Sequence, residues 1–412
     1  MRGLLGIAAL LLLAWAISED RFRVPLRVVI VGVLLQFAVA LLLLKFPPVA
    51  KAFLLLNDGV EALQKATDAG TGFVFGYLGG GPLPFAETHP GASFIFAFRA
   101  LPLVLVISAL ATVLFYWGVL QRIVQGLAWV LRHSVGVGGP LGLGAVVHIF
   151  VGFIEAPLLI RPYLLRLERG EMFALMSTGM AGIAGTVMVI YAAILGPVIP
   201  DALGHILVAA VISTPAALAL AALMVPFRPD PSAAADLQID DPPVSTMDAI
   251  AKGTRDGIVF LLNIIAMLIV MITLVTLVNA MLGLLPNLAG EPMTLQRLFA
   301  YAFRPVMWLI GIPGSEVGTA AQLMGTKTVL NEFVAYTDLA KVPADQLGDH
   351  SRLVMTYAMC GFANFGSLGI LIGGMGAMVP ERRAEIVALG LRSILSGTMA
   401  GCMSGALVGM LV

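Results

Sequence analysis

Long apolar runs are the feature that most limits what this chain of 412 residues can fold into. A helix of about 20 apolar residues spans the hydrocarbon core of a bilayer, and only helices or closed barrels satisfy the backbone there. Charged residues make up 12% of the chain, whereas soluble domains carry about 25%. We therefore predict an all-α integral membrane protein with about eight transmembrane helices, at Leu4–Ile17, Val24–Phe46, Phe94–Leu120, Met172–Leu195, Ala202–Val225, Gly257–Leu285, Arg352–Met378 and Ile386–Val412.

The first apolar segment allows two interpretations. It is short, and Ala14-Trp15-Ala16 resembles a signal-peptide cleavage site. A second apolar segment follows almost at once, which favours an uncleaved span. The arginines between the two segments would lie in the cytoplasm by the positive-inside rule; they are Arg21, Arg23 and Arg27. Two amphipathic stretches, Lys51–Leu78 and Arg122–His133, are predicted to lie along the membrane interface.

Two glutamates lie within apolar sequence, Glu155 in Ile149–Ile160 and Glu332 in Gly325–Tyr336. A charged side chain at membrane depth costs ~3 kcal/mol, so it faces a partner, a cavity or a substrate. The surrounding segments, 136–165 and 295–339, are broken by Gly, Pro and charge. Broken backbone at that depth is tolerated only inside protein or beside a cavity. We predict two re-entrant hairpins whose tips form one polar site.

An internal repeat relates the two halves of the chain. Met176-x3-Met180-x-Gly182-x-Ala184 matches Met355-x3-Met359-x-Gly361-x-Ala363, and the copies begin 21 and 23 residues after their glutamates. A Pro- and Asp-rich linker, Phe227–Asp256, separates them and is predicted to lie in water. Repeats with discontinuous helices that meet at the midplane are typical of secondary transporters.

Two longer motifs carry a resemblance to a known family. Gly325-x-Lys327-x3-Asn331-Glu-Phe-Val-Ala-Tyr336 and Met359-Cys-Gly-Phe-Ala-Asn-Phe-Gly-Ser-Leu-Gly-Ile370 resemble signatures of the concentrative nucleoside transporters, which are cation-coupled importers of nucleosides. The likeness runs from about Phe94 to the C-terminus. It implies a homotrimer, with an inverted-repeat transport domain of two hairpins and unwound helices on a trimeric scaffold. A bacterial inner membrane is expected from the short form of the chain. The expected division is residues 1–120 (scaffold), 121–226 (first transport repeat), 227–256 (linker), 257–294 (scaffold helix) and 295–412 (second transport repeat).

The resemblance also implies a substrate site. The positions that hold the ribose in the family carry the expected residues, Glu332, Phe362, Asn364 and Ser367. The first hairpin tip differs: where the family has Gly-Gln-Thr-Glu, this chain has Gly152, Phe153, Ile154 and Glu155. Val187, at the base-packing position, is retained. Because Phe and Ile cannot hydrogen-bond a base, we expect ribose recognition to be kept and base recognition to be altered or relaxed.

The family's sodium site is predicted to be degraded. Its Asn and Ser/Thr side chains correspond to His148 and Gly182, and backbone carbonyls remain available at Val151 and Ile183. Histidine titrates near neutral pH, so one hypothesis is proton coupling through His148 with Glu155 or Glu332. The alternative is that His148 only bonds a backbone carbonyl, with coupling absent or at another site. A proton is thus favoured over sodium as the coupling cation.

Other charged residues near the hairpins remain ambiguous. Arg161 and Lys327 either pair with carboxylates or cap broken helices, and a direct role in substrate binding is the alternative. Glu316 lies either in the second hairpin or at a helix N-terminus. The sequence has no Ser/His/Asp cluster, HExxH motif or phosphate-binding loop, and its net charge of zero does not favour nucleic acid. Neither an enzyme nor a cofactor is expected. A same-fold transporter of another sugar-bearing or heterocyclic solute, or a membrane sensor, remains the alternative.

Overall fold

The computed structural model describes residues 2–87, 93–150, 152–228, 242–287, 290 and 292–412. Within those ranges the chain is helical and contains no β-strand. Short 3-10 helices lie at Gly76–Gly79, Arg161–Arg166 and Pro380–Arg382. The α-helices are α1 Arg2–Ala16, α2 Leu26–Lys45, α3 Pro47–Phe75, α4 Phe96–Arg99, α5 Leu103–Tyr116, α6 Val119–Ser134, α7 Gly139–Val147, α8 Glu155–Leu159, α9 Arg169–Ala181, α10 Gly185–Leu195, α11 Ala202–Met224, α12 Thr246–Leu282, α13 Leu295–Leu309, α14 Val317–Val329, α15 Glu332–Lys341, α16 Asp349–Met359, α17 Phe365–Met378 and α18 Arg383–Leu411.

Several helices are long and apolar enough to cross a membrane, which confirms the predicted all-α membrane class. Among the described residues five helical runs meet that description, and two shorter apolar helices, α1 and α17, accompany them. The five runs are Leu26–Lys45, Phe96–Tyr116, Ala202–Met224, Thr246–Leu282 and Pro380–Leu411.

Two of the predicted continuous spans are wrong, because each is interrupted near its middle. The segment 172–195 breaks between α9 and α10, where Gly182 is extended at φ −108°, ψ 177°. The segment 352–378 breaks between α16 and α17, where Asn364 is extended and caps the second helix. The resemblance implied such unwound helices, whereas hydropathy alone does not detect a break within an apolar run.

The first hairpin follows the prediction, and the second begins later than predicted. In the first, α7 leads to a tip and then to α8 and a 3-10 helix. In the second, the predicted range 295–339 contains an additional helix: α13 packs along α14, and the tip that carries Glu332 lies between α14 and α15. Gly311, with φ +111°, lies in the turn that ends α13 well before that tip.

The polar linker is shorter than predicted. Residues 246–256 form the start of α12, and the Ser245 hydroxyl caps this helix by accepting from the Asp248 backbone N–H at 3.1 Å. Residues 229–241 of the predicted linker lie outside the described part of the chain. The two amphipathic stretches are helical, in α3 and α6, and their place at the interface stays a prediction.

The helices pack around α11, which is almost entirely buried. Its main neighbours are α2, α9 and α18, and α1 packs on α18. α12 instead pairs with α5 and is otherwise largely exposed. A Cβ added at Gly253 would lie 2.7 Å from the Cα of Ala109, so α5 and α12 meet at the close distance that small residues allow. Hence α12 flanks the bundle formed by the two repeats.

Candidate functional site

A cavity of about 430 Å³ lies between the two repeats and one face of α12. Its size lies within the range of small-molecule pockets. Both hairpin tips and both helix breaks contribute to its wall. The nine predicted substrate-binding residues all line it, namely Gly152, Phe153, Ile154, Glu155, Val187, Glu332, Phe362, Asn364 and Ser367.

Glu332 is fixed at the second tip by bonds to both of its carboxylate oxygens. It is the first residue of α15, and Asn331 caps that helix by accepting from the Val334 backbone N–H at 2.9 Å. The Tyr191 hydroxyl donates to Oε1 at 2.7 Å, and the Asn364 side-chain amide donates to Oε2 at 2.9 Å. Glu332 is only 4% exposed. A buried carboxylate with two fixed donors is a rigid acceptor at the cavity wall.

Asn364 connects the second helix break to this carboxylate. Its side-chain oxygen accepts from the Ser367 backbone N–H at 2.7 Å and so caps α17. Its amide nitrogen is thereby directed towards Glu332. Ser367 lies in the first turn of α17, where its side chain lines the cavity. The same capping interaction therefore stabilises the start of α17 and orients the Asn364 amide towards Glu332.

The first tip presents mainly apolar surface. Gly152 has φ +126°, a conformation suited to glycine. Phe153 packs on Phe362 with ring centroids 4.8 Å apart and planes inclined at 42°. Ile154 lies against Gly374 of α17. Glu155 begins α8 and contributes the one carboxylate of this tip.

Tyr191 lies in the cavity wall but was not predicted from sequence. It follows Val187 by four residues in α10, so both side chains occupy the same helix face. That spacing is a signal that could have identified it. Its hydroxyl links the first repeat to Glu332 of the second.

His148 lies behind the first tip and does not line the cavity. It is 2% exposed and follows α7. Within the described part of the chain, neither ring nitrogen makes a hydrogen bond, although the Ala145 backbone lies nearby. A Cβ added at Gly182 would lie 2.5 Å from His148 Nε2, so the imidazole fills the space beside that glycine. Ile183 is buried next to Gly182, and Val151 lies outside the described residues.

The two broken helices are joined where they break. The Phe362 backbone N–H donates to the Gly182 carbonyl at 3.2 Å. A Cβ added at Gly361 would lie 2.7 Å from the Ala181 carbonyl oxygen, so the backbones nearly touch. Gly182 thus contacts His148 on one side and is bonded to a cavity residue, Phe362, on the other.

The remaining charged residues have defined places. Lys327 is buried, and its ammonium donates to the Ala363 carbonyl at 2.8 Å, which caps the unwound backbone between α16 and α17. Glu316 lies at the N-terminus of α14, away from the tip, and accepts from the Gly348 backbone N–H at 3.3 Å. Arg161 is exposed in the 3-10 helix after α8.

Family comparisons decide which class of protein has this arrangement. The model for the C-terminus of Na+ dependent nucleoside transporters matches residues 205–409, and the model for their N-terminus matches residues 5–78. A nucleoside recognition model matches residues 97–198 between them. The chain belongs to the concentrative nucleoside transporter family. Its members are transporters, not enzymes.

Individual members of the family align along nearly the whole chain. An uncharacterized transporter of Haemophilus influenzae is 35% identical over 100% of this chain and 98% of its own length. The nucleoside permease NupC of Helicobacter pylori is 31% identical over 99% of this chain and 96% of its own length. Human solute carrier family 28 member 3 is 33% identical over 98% of this chain, which spans 59% of that protein.

A solved structure of the family has the same fold. The transporter CNTnw, in an inward-facing substrate-bound state, superposes with a TM-score of 0.87 at 32% identity. The match covers 99% of this chain and 97% of that one. The concentrative nucleoside transporter fold therefore accounts for the whole described chain.

Proposed function

We propose that this protein imports nucleosides by cation symport with alternating access, and that the cavity between the repeats is the substrate site. The observation that supports this most directly is the Glu332 carboxylate, held by Tyr191 and Asn364 in the wall of that cavity. Buried polar groups in a membrane protein mark substrate and ion pathways.

The ribose is the part of the substrate that the second repeat binds. Ribose hydroxyls both donate and accept hydrogen bonds. Glu332 supplies acceptor oxygens, and Ser367 and Asn364 supply a hydroxyl and an amide on the adjacent helix start. Because their neighbours already fix these groups, little ordering is required when the sugar binds.

The base contacts the first tip, where recognition is relaxed. Phe153, Ile154 and Val187 offer ring and aliphatic surface. An aromatic face stacks on any base, while discrimination requires polar groups that a wrong base leaves unpaired. We expect uridine and a purine nucleoside to bind with similar affinity.

A proton is the proposed coupling cation. Sodium requires oxygen ligands, as other hard cations do, but Gly182 has no hydroxyl and the His148 ring occupies the adjacent space. Protonation of His148 would act on Gly182, whose carbonyl is bonded to Phe362, and so couple to the cavity.

A homotrimer in a bacterial inner membrane remains part of this proposal, as does the division into scaffold and transport repeats. The packing of α5 against α12 supports the proposal that these two helices form a structural unit separate from the two repeats. The packing of α1 on α18 and of α2 on α11 favours one change to this division, in which these two helices belong with the transport repeats rather than with the predicted scaffold of residues 1–120.

The apolar first tip also favours one alternative, a transporter of the same fold for another sugar-bearing or heterocyclic solute. One experiment separates the two. Purified protein is reconstituted in liposomes, and uptake of labelled uridine, adenosine and ribose is measured under a proton gradient and, separately, a sodium gradient. We expect proton-driven uptake of both nucleosides.

The variants Glu332→Gln and His148→Ala are measured in the same uptake assay. Sodium-driven uptake, or an unchanged pH dependence in His148→Ala, would contradict proton coupling through His148. Uptake of neither nucleoside under either gradient would favour the other solute.

A further inference from the structure

One polar side chain in the cavity comes from outside both repeats. The face of α12 that lines the cavity carries Phe260, Ile264, Met267 and Met271, spaced by three and four residues, and Asn263 lies on it. Asn263 is the only polar residue that α12 contributes to the wall. It is the eighteenth of the 37 residues of α12, so it lies near the middle of a span.

Contacts between α12 and the second helix break place this face beside the proposed ribose site. A Cβ added at Gly366 would lie 3.4 Å from Met271 Cγ, 3.7 Å from Met267 Cε and 3.3 Å from Asn364 Oδ1. Asn263 lies one turn before Met267 on the same face. Asn263 therefore lies in the same cavity as Glu332, but on α12 rather than on either repeat.

Among the residues that the structure describes, the Asn263 side chain has no hydrogen-bond partner. Asn364 uses its oxygen to cap α17 and its nitrogen to bond Glu332, and Asn331 uses its oxygen to cap α15. Asn263 makes no hydrogen bond within the described part of the chain, and its side chain is exposed to the cavity. A polar group at membrane depth is costly unless it meets a partner or a water-filled cavity.

We propose that Asn263 reads the nucleobase, a role that rests on the proposed nucleoside transport. A carboxamide presents a donor beside an acceptor. This matches a base edge that carries an N–H donor next to an acceptor, as uracil (N3–H beside a carbonyl) and adenine (N6–H beside N1) both do, so the contact is compatible with similar affinity for uridine and adenosine. The polar contact to the base thus comes from the flanking helix α12, while Phe153 and Ile154 of the first hairpin tip offer it apolar surface.

The test compares uridine with N3-methyluridine, in which the edge N–H is blocked while the sugar is unchanged. Uptake into liposomes is measured for the unchanged protein, for Asn263→Leu and for Thr276→Val. Thr276 is the matched control, because its hydroxyl donates to the Ile272 carbonyl of its own helix at 2.7 Å. A paired donor and acceptor is worth roughly tenfold in discrimination.

The expected result is a roughly tenfold lower KM for uridine than for its methyl derivative, which Asn263→Leu abolishes and Thr276→Val preserves. Equal ratios in the unchanged protein and Asn263→Leu, with uptake intact, would overturn this inference alone. A loss of oligomer or of thermal stability without a change in the ratio would instead assign Asn263 to an interface between copies. If the unchanged protein took up no nucleoside, both this inference and the proposed function would be overturned.

Discussion

The two hairpin tips share one framework and differ in chemistry. In each, a glutamate is the first residue of the helix that leaves the tip, and a broken helix follows in the chain. At the second tip, Glu332 is bonded on both oxygens and its helix is capped by Asn331. At the first tip, the neighbours of Glu155 are Phe153 and Ile154, whose side chains are apolar.

This difference shows which part of the site is free to change. The two repeats are joined through backbone, by the bond from Phe362 N–H to the Gly182 carbonyl. A backbone bond does not depend on the side chains at the tips. The first tip can therefore exchange polar for apolar residues while the cavity persists, and the second cannot without breaking the bonds that hold Glu332.

The largest effect is expected from Glu332→Gln. The glutamine would place an NH2 group against Tyr191 or Asn364, both of which donate to the carboxylate now. Removing one member of a buried, charged hydrogen-bonded set costs about 2–5 kcal/mol, so uridine uptake at low concentration should fall roughly 100-fold. The matched change Glu155→Gln should cost less than about tenfold. Equal losses in the two variants would remove the distinction between the tips.

A change of coupling ion is the next largest effect expected. Gly182→Ser alone should destabilise the protein by about 1–3 kcal/mol, because its Cβ would lie 2.5 Å from His148 Nε2. The double change His148→Asn with Gly182→Ser removes that clash and supplies two oxygen ligands. The thermal unfolding temperature in detergent should return towards that of the unchanged protein, and uptake should become dependent on sodium rather than protons.

The single variants are the controls for this pair. A Gly182→Ser protein as stable as the original would show that the imidazole does not occupy the space beside residue 182. Retained proton dependence in the double variant would place the coupling site elsewhere.

Much of this site could be predicted from the sequence, because its polar residues stand within apolar segments. Glu155 and Glu332 stand out as carboxylates in apolar sequence, and the family resemblance of the motif around Asn364 adds the proposed ribose positions. Apolar runs likewise predict the continuous spans, including α2 and α11.

Features that depend on a tertiary partner could not be predicted. The breaks at Gly182 and Asn364 persist because the opposite repeat and a side-chain cap satisfy their backbone groups, and hydropathy contains no signal for that. The start of α12 at Thr246 is different, because its Ser245 cap is a local signal, although it lies within polar sequence. The bond from Tyr191 to Glu332 is likewise a tertiary contact, although the four-residue spacing from Val187 is a sequence signal that Tyr191 shares the cavity face.

Tyr191→Phe sharpens the comparison by removing one of the two donors to Glu332. The ring and its packing on Tyr336, with centroids 5.2 Å apart, remain. A hydrogen bond to a charged group contributes about 1.5–3 kcal/mol, and Asn364 still holds the other oxygen, so we expect a rise of about tenfold in KM for uridine and for ribose alike. An effect confined to one base would mean that Tyr191 contacts the base rather than orienting the carboxylate.

A smaller effect is expected from Phe153→Ala at the first tip. It removes a ring that packs on Phe362 at 4.8 Å, and aromatic pairs contribute about 0.5–1.5 kcal/mol beyond burial. Affinity for uridine and adenosine should fall together by about fivefold, with ribose unaffected, in competition uptake assays. Strict discrimination between the two bases that persists in this variant would contradict relaxed recognition at the first tip.

The smallest effect concerns how each repeat is anchored where its broken helix begins. Arg169, the first residue of α9, donates from Nη2 to Glu19 Oε1 at 2.9 Å near the surface. In the second repeat the anchor is Arg352, which is 5% exposed and donates to the Leu339 carbonyl at 3.2 Å and the Leu347 carbonyl at 3.0 Å.

Glu19→Gln should therefore lower the free energy of unfolding by only ~0.2–1 kcal/mol, and less at high salt. The bond to Arg169 holds the pKa of the Glu19 carboxyl below its ordinary value. Its contribution is accordingly present above that ordinary value and lost as pH falls through the lowered one. Unfolding in detergent at neutral and acidic pH should show the two proteins converging in acid. Arg352→Leu, which leaves buried carbonyls without a donor, should be several times more destabilising at both pH values, and equal effects would show that the two repeats are anchored alike.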